Sequence, residues 1–420
     1  MKGFFTKKET QGASLVNNKM PSCARCGLYK NVHSPKMEPF GKMKKGILNI
    51  GEAPGAEEDK HGRQWQGKMG KLLQRTYEKL GVDLFEDCLN INAINCRPIA
   101  DGDKSNRAPK GIEIACCRSR VFDVINKHKP KLIILLGNAA VDSLITHRWK
   151  GRQKGIMTWR GWQIPDRELG IALCPTFHPS FVDRSDKNKA VRMVWERDLE
   201  EAFALVSPPS MREEANELSF LAPNHEEQFV EIIEDLSPLY KLPPLTAFDY
   251  ETTGIKPDAA GHRIVCAAIA TGPEHCYAFM MPKTRRERKP FLDYLANEEL
   301  KKIAQNMKYE VTWSDVRMRT PVRGLVWDTM QATHILDNRP GITGLKFQVY
   351  VNFGVLDYSS EVSHYFRSVN EKDGNSLNRI FDLIERPGGK EKLLTYCGLD
   401  SLFEYKLAKI QMEVMDYGLS

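Results

Sequence analysis

Short apolar runs that stop at glycine turns and lead into helical stretches constrain this chain more than any other feature. Gly46-Ile47-Leu48-Asn49-Ile50 reads as a buried strand, and Gly51-Glu52-Ala53-Pro54-Gly55 as the turn after it. A second strand, Cys88–Ile94, follows the helix-like segment Gly70–Leu80. A third, Lys131–Leu136, stops at Gly137-Asn138 and leads into a helical run over Ala139–Thr146. Strands alternating with helices need a sheet covered on both faces, so the pattern predicts an α/β fold with a mostly parallel sheet. In such sheets ligands bind at the loops that follow the carboxyl ends of the strands.

A different pattern starts after a break. Between Ser207-Pro208-Pro209-Ser210 and Pro243-Pro244 runs an acidic stretch holding Glu213, Glu214, Glu217, Glu226, Glu227, Glu231, Glu234 and Asp235. It predicts a linker over 207–243 with a helix from about Asn224 to Leu236. Beyond it, Leu245-Thr246-Ala247-Phe248-Asp249 reads as a strand ending in carboxylates. Further strands are expected at Arg263–Ala270 and Cys276–Met281, and helices at Phe291–Ala296, Tyr309–Val316, Trp327–Leu336 and Lys390–Met415. The charge changes sign at the same break. Residues 1–206 carry 36 Lys and Arg against 23 Asp and Glu, a balance of +13, whereas residues 207–420 carry 25 against 31, a balance of −6. The 420 residues therefore divide into two expected domains, 1–206 and 244–420, the first with a charge suited to a phosphate backbone. The longest aliphatic run, Leu132–Leu136, falls far short of the roughly 18 residues of a membrane helix. Residues 1–7 have no apolar core of signal-peptide length, so a cytoplasmic location without a membrane partner is expected.

Asp249-Tyr250-Glu251-Thr252-Thr253-Gly254 puts two carboxylates at i and i+2, on one side of a strand. Paired hard oxygen ligands of this kind suit Mg²⁺ or Mn²⁺. Downstream stand Asn306-Met307-Lys308-Tyr309-Glu310 and Tyr396-Cys397-Gly398-Leu399-Asp400, the last with its Tyr and Asp on adjacent turns of one helical face. In that order, residues 245–420 resemble the 3′–5′ proofreading exonuclease domain of the polymerase I family, in the subtype with a tyrosine in its last motif and a ribonuclease H-like fold. The resemblance implies two Mg²⁺ or Mn²⁺ ions held by Asp249, Glu251 and Asp400. It places Glu310 at a fourth carboxylate position, Asn306 beside the substrate, and Tyr396 where the attacking water is oriented. Trp327-Asp328-Thr329-Met330 resembles the family's D-T-M helix, and Leu345-Lys346 a later helix start. The family's second motif usually ends in Asp; Glu310 is one methylene longer. The basic run Lys283–Lys289 reads equally as a DNA-end or partner contact and as a solvated loop.

Six of the ten cysteines fall between residues 23 and 117. Cys23-Ala24-Arg25-Cys26 is a C-x2-C pair, and Cys96 with Cys116-Cys117 offers the other half of a ligand set. Spacing alone fits zinc and an iron–sulfur cluster equally. The neighbouring motifs are Gly51–Asp59, Gly62-Arg63-Gln64-Trp65-Gln66-Gly67, Asn92 through Cys96-Arg97-Pro98, Asn106-Arg107-Ala108-Pro109, Leu136-Gly137, and His178-Pro179-Ser180 with Arg184. Together they resemble a family 4 uracil-DNA glycosylase, the iron–sulfur class, across residues 20–205, with a three-layer α/β/α fold. The resemblance implies a [4Fe–4S] cluster on Cys23, Cys26, Cys96 and Cys117, with Cys116 the runner-up to Cys117. It also implies that Trp65 stacks on a flipped base and Asn92 reads the uracil edge. Glu52 and His178 take the catalytic positions near the sugar and uracil O2, with Glu58 a second pocket acid. Gly51, Gly55 and Ser180 bring backbone close to phosphates. Three departures stand out: Gln64-Trp65-Gln66-Gly67 for Pro-Phe-Val-Gly, Asn95 for the Lys before Cys-Arg-Pro, and Ile99 for the second Pro.

The two halves in this order resemble the front part of some bacteriophage DNA polymerases. That implies a partner in DNA, single-stranded or frayed at 3′ ends and including uracil-containing DNA, and for a phage-encoded chain the host cytoplasm. The sequence stops twenty residues after Asp400, so a separately encoded DNA polymerase is the expected second partner. Two other readings differ in class. One is an exonuclease accessory subunit whose N-terminal domain only grips DNA or polymerase; the other is a replication scaffold with both sites inactive.

Overall fold

The computed structural model describes residues 21–100, 105–149, 151, 155–185, 187–206, 229–370, 372–373 and 375–418. These fall into two compact units, one of residues 21–206 with Tyr350–Leu356, the other of 229–349 with 357–418. Both are α/β.

The first unit is a five-stranded sheet of β1 (Ile47–Gly51), β2 (Cys88–Asn92), β3 (Leu132–Leu136), β4 (Ile164–Asp166) and β5 (Ile171–Thr176), ordered β2-β1-β3-β5-β4. Its pairs are parallel except β4 with β5. The helices used below are α1 (Ala56–His61), α2 (Lys68–Lys79), α3 (Gly111–His128), α4 (Pro179–Arg184) and α5 (Lys189–Ala204). Ile47, Leu132 and Ile134 pack with Leu73 and Tyr77 of α2 and with Trp195, Leu199 and Phe203 of α5. Leu48, Ile133 and Leu135, pointing the other way, are buried as well, which is why these strands show no hydrophobic alternation. The chain passes to opposite sides of β1 to form β2 and β3, a topological switch point. Register sets Gly51 beside Asn92 and Leu136 beside Thr176, so the loops carrying Glu52, Asn92, Gly137 and His178 leave one edge of the sheet.

Residues 244–420, expected as one continuous domain, lend the short segment Tyr350–Leu356 to this first unit. The Tyr350 hydroxyl donates to Asp166 at 3.1 Å, and Arg148 pairs with the same carboxylate at 2.6 Å.

The second unit is a six-stranded sheet of β6 (Phe229–Ile232), β7 (Leu245–Thr252), β8 (Ile264–Ala270), β9 (His275–Met280), β10 (Lys301–Ala304) and β11 (Leu325–Asp328), ordered β11-β10-β7-β8-β9-β6. Strands β7, β8 and β9 form an antiparallel meander, while β10 runs parallel to β7 and to β11, and β6 parallel to β9. Its helices include α6 (Lys289–Ala296), α7 (Lys308–Trp313), the first residues of α8 (Leu345–Phe353) and α9 (Gly389–Val414). The alternation of β7 sorts its side chains. Phe248 and Tyr250 pack with Phe291 and Tyr294 of α6 and Trp313 of α7, so Asp249 and Glu251 face the opposite side, where α9 crosses β7, β8 and β9.

Two expectations are corrected. Of the helix placed over 224–236, residues 229–232 are instead the edge strand β6 and 233–236 are irregular, because Val230 enters the core under α9 and Glu231 meets His275 at 3.0 Å across the β6–β9 pair. Leu236 and Leu239 are buried in the same unit, so 229–243 belongs to the domain rather than to a linker; 207–228 lies outside the described residues. The helix placed at Trp327–Leu336 begins only at Thr329, since Trp327 and Asp328 end β11 and the Asp328 carboxylate caps the Met330 and Gln331 N–H groups. No helix among the described residues is long and apolar enough to cross a membrane.

Gly398 lets α9 lie close on the sheet. A Cβ there would come within 2.6 Å of a Val230 methyl and 2.9 Å of the Cys276 sulfur, both core side chains. Gly398→Ala should therefore destabilise the protein by about 1–3 kcal/mol in urea unfolding, an overpacking cost that an open helix surface does not impose. An unchanged midpoint would show that α9 sits farther from the sheet.

Candidate functional site

In the second unit, the period of two along β7 and the four-residue spacing along α9 bring three carboxylates together. Asp249, Glu251 and Asp400 offer ligand oxygens that all lie within 4.8 Å of one another. Burial and the neighbouring Asp400 push the Asp249 carboxyl up to about 8, against the pull of Lys346. Burial and Asp249 hold Glu251 well above the carboxylate range. Acid groups forced together in this way strongly favour a cation in their midst, and an all-oxygen donor set fits Mg²⁺ or Mn²⁺.

Other side chains complete this site. Lys346, at the start of α8, pairs with Asp400 Oδ1 and lies 2.9 Å from the Tyr358 hydroxyl, which donates to the same oxygen at 2.5 Å. Its Nζ stands 4.0 Å from the ring centroid of Tyr358 and 4.3 Å from that of Tyr396. Burial and Asp400 raise the Tyr396 phenol well above its ordinary value, so it stays a neutral donor. The Cys397 thiol donates toward Asp249 Oδ2 at 3.7 Å. Glu310 sits on α7 outside the group of three. It is 2% exposed, its Oε2 lacks a hydrogen-bond partner, and burial with Asp249 raises its carboxyl. Asn306 takes a left-handed φ of 59° before α7 and gives its backbone N–H to Asp328 at 3.1 Å. The sequence reading missed Tyr358, Cys397 and Glu404, and saw Lys346 only as a helix start. For Glu404 a signal existed: it lies four residues after Asp400, on the same face of α9.

In the first unit, Gly51, Asn92, Trp65 and His178 meet at the carboxyl edge of the sheet. A Cβ at Gly51 would lie 2.5 Å from the Asn92 Oδ1 and 3.0 Å from the Trp65 indole. The Trp65 and His178 rings are 5.8 Å apart by centroid. His178 Nδ1 accepts the Ser180 N–H at 3.2 Å and bonds the Ser180 hydroxyl at 2.8 Å, which leaves Nε2 to carry the proton of the neutral ring. Desolvation and Arg184 lower His178 to about 4, so the ring is a neutral donor at ordinary pH. Burial raises the Glu52 carboxyl while Arg184 draws it back. Ser180, expected near phosphates, fixes the His178 ring through its hydroxyl and backbone N–H. Glu58, expected as a second pocket acid, spends both oxygens on backbone: Oε2 accepts from Gly55 N–H at 3.0 Å and Oε1 from Gly67 N–H at 2.9 Å. It braces the glycine loops at the starts of α1 and α2.

The cysteines gather beside this pocket. Cys96 receives the Lys36 N–H at 3.2 Å, and burial raises its thiol. Burial pushes Cys117 up to about 12; it takes a backbone hydrogen bond from Asn95 and has Cys96, Cys26 and Cys23 as neighbours. Cys116 also has Cys26 and Cys23 as neighbours and takes a backbone hydrogen bond from Cys26. Among the described residues no three of these sulfurs come within 4.8 Å of one another. Thiols with N–H groups aimed at them suit a metal-bound thiolate.

Two family models match the chain. The uracil DNA glycosylase superfamily covers residues 38–200, and the 3′–5′ exonuclease of DNA polymerase A type covers residues 222–411. The chain is similar to the type-4 uracil-DNA glycosylase of Thermotoga maritima, 31% identical over 202 residues, which span 48% of this chain and 97% of that protein. It is 32% identical over 179 residues to the type-4 uracil-DNA glycosylase of Pyrobaculum aerophilum, across 42% of this chain and 86% of that one. Among solved structures, Brucella melitensis NrnC with bound Mg²⁺ overlaps 45% of this chain and 82% of its own at 16% identity and a TM-score of 0.29. At that score the overlap adds nothing to the family match.

The raised Asp249 has a consequence for stability. Between its ordinary 3.8 and about 8, the folded protein holds a proton that the unfolded chain has lost. The stability this group supports is full below the lower value and falls as pH rises through the upper one. Metal-free protein should thus melt lower at about pH 8 than at about pH 6, and Mg²⁺ should raise Tm more at the higher pH. Calorimetry on Asp249→Asn should show both dependences flattened; an unchanged slope would mean the carboxyl is not desolvated.

Proposed function

This chain belongs to the type-4 uracil-DNA glycosylase family through its N-terminal half and carries a DNA polymerase I-type 3′–5′ exonuclease domain in its C-terminal half, and from that premise we propose that it is a DNA repair enzyme that excises uracil and trims 3′ ends. The observation that carries the nuclease reading is the convergence of Asp249, Glu251 and Asp400 within 4.8 Å. These three, with Glu310 nearby, are the residues that would hold two Mg²⁺ or Mn²⁺ ions, which supply an activated water and charge neutralisation at the phosphodiester. Tyr396, kept as a phenol, orients the attacking water through its hydroxyl, and Lys346 with Tyr358 keeps Asp400 in place. Asn306 lies at the turn beside the substrate strand.

In the other half, Trp65 stacks on the flipped base, Asn92 reads its edge, and the His178 Nε2–H stabilises negative charge on uracil O2 as the glycosidic bond breaks. Glu52, whose raised carboxyl Arg184 draws back toward the ionised form, faces the positive sugar. Gly51 and Gly55 admit backbone close to phosphates. Cys23, Cys26, Cys96 and Cys117 would hold a [4Fe–4S] cluster, which supplies a structural crosslink. Uracil removal and 3′ trimming in one chain suit DNA synthesis by a separate polymerase, with proofreading the role of the nuclease half; a phage-encoded source and host-cytoplasmic location fit the same reading.

A second reading has one observation behind it. The Trp65 indole is only 8% exposed and donates Nε1–H to the buried Asn90 at 3.0 Å, a fixed plug where the family has a smaller aromatic. A pocket filled in this way would grip DNA without excising uracil. A uracil-containing oligonucleotide, incubated with protein and then with alkali, separates the two. Strand breaks lost in Glu52→Ala but kept in Asp249→Ala support excision, and no breaks with wild type favour the grip alone. Asp249→Ala should lower Mg²⁺-dependent 3′ degradation by about 10³-fold. Persistence of that degradation would overturn the nuclease assignment. For the cluster, Cys117→Ser should bleach the visible absorption of anaerobically purified protein, whereas Cys116→Ser should leave it.

A further inference from the structure

The nuclease site holds more charge than its motifs account for. Glu404 lies one helical turn beyond Asp400 on α9, is 1% exposed, and its Oε2 has no hydrogen-bond partner. Its ionisable neighbours include Asp249, Glu310, Asp400 and Lys346. Burying an acid with an oxygen left unpartnered is costly, so a group of opposite charge is expected to face it. Lys346 supplies one positive charge, with its Nζ on Asp400 Oδ1 and over the rings of Tyr358 and Tyr396. Once ions bind and these acids release their protons, Asp249, Glu251, Glu310, Asp400 and Glu404 against this one ammonium leave a net of four negative charges, the amount that two divalent ions neutralise. Without Glu404 the lysine would leave the site one positive charge in excess; without Lys346 the fifth carboxylate would leave it one negative charge in excess.

We propose that Lys346 and Glu404 are a charge-balancing pair built into the metal site, Lys346 fixing one oxygen of Asp400 and Glu404 offsetting the charge that Lys346 brings. Both are positioning residues: they set how tightly the ions are held without needing to touch the substrate. The pair rests on the two-metal reading of the nuclease half.

The test is Mn²⁺ binding to the full chain, followed by calorimetry and by the electron paramagnetic resonance signal of free Mn²⁺, without DNA. Glu404→Gln, nearly isosteric, should weaken binding about tenfold. Lys346→Met should tighten it about tenfold, since a competing cation leaves Asp400. The double variant should return to within about twofold of wild type, and Lys346→Arg, which keeps the charge, should stay there too. A purely structural role would not give opposite signs that cancel. Glu404→Gln binding like wild type, or both single variants shifting in the same direction, overturns the pair. Should Lys346→Met fail to fold, Glu404→Gln and Lys346→Arg decide alone: a shift in the first with none in the second supports the pair, and any other result overturns it. Wild type that binds no Mn²⁺ overturns the two-metal reading itself, whereas wild type that binds two ions beside an unmoved Glu404→Gln overturns only the pair.

Discussion

Carboxylates taken out of water repel one another, and the seam between β7 and α9 is organised around that repulsion. Asp249 and Glu251 can reach the seam only because Phe248 and Tyr250 fill the opposite face of the sheet. Asp400 reaches it only because Gly398 lets the helix lie close on Val230 and Cys276. The same closeness removes water from the acids and raises Asp249, Glu251, Glu310 and Glu404 together. A seam built this way stores an unfavourable charge that bound cations relieve, so packing and metal affinity are one property of the fold.

The other unit relies on close backbone approach instead. At the switch point of its sheet, Gly51 has no side chain, and this is what allows Asn92 and Trp65 to close over the end of β1. Glu58 then ties the two glycine loops to each other through backbone N–H groups. His178 is presented in one tautomer because Ser180 occupies Nδ1. A neutral donor held by its own loop needs no change of protonation to meet a developing anion.

How much of this could be read in advance varies residue by residue. The D-x-E of β7 and the Y-x3-D of α9 were legible because a strand repeats every two residues and a helix nearly every four. Glu404 obeyed the same rule, yet one more acid on a helix face usually means solvent, and only its burial says otherwise. Tyr358 carried no signal at all, since its link to Asp400 spans a loop of no fixed length. Glu58 was legible as an acid but not as a brace, because the Gly67 N–H that claims it comes from another turn. Residues 229–232 looked helical by composition, and the open edge of β9 made them a strand. Cys116 and Cys117 point about 100° apart on α3, so although both stand near Cys23 and Cys26 they take their backbone hydrogen bonds from different residues, Cys26 and Asn95.

By itself the sequence determined that there are two α/β modules, which strands end in acids or glycine turns, and which families those motifs resemble. Such features are local, set by backbone period and by residue type within a few positions. The tertiary structure alone decided which charges share a dry space, which acid is spent on backbone, and that a lysine from α8 stands among the acids of α9. Coulomb energy and desolvation depend on distance and burial between groups far apart in the chain, and neither is written in spacing.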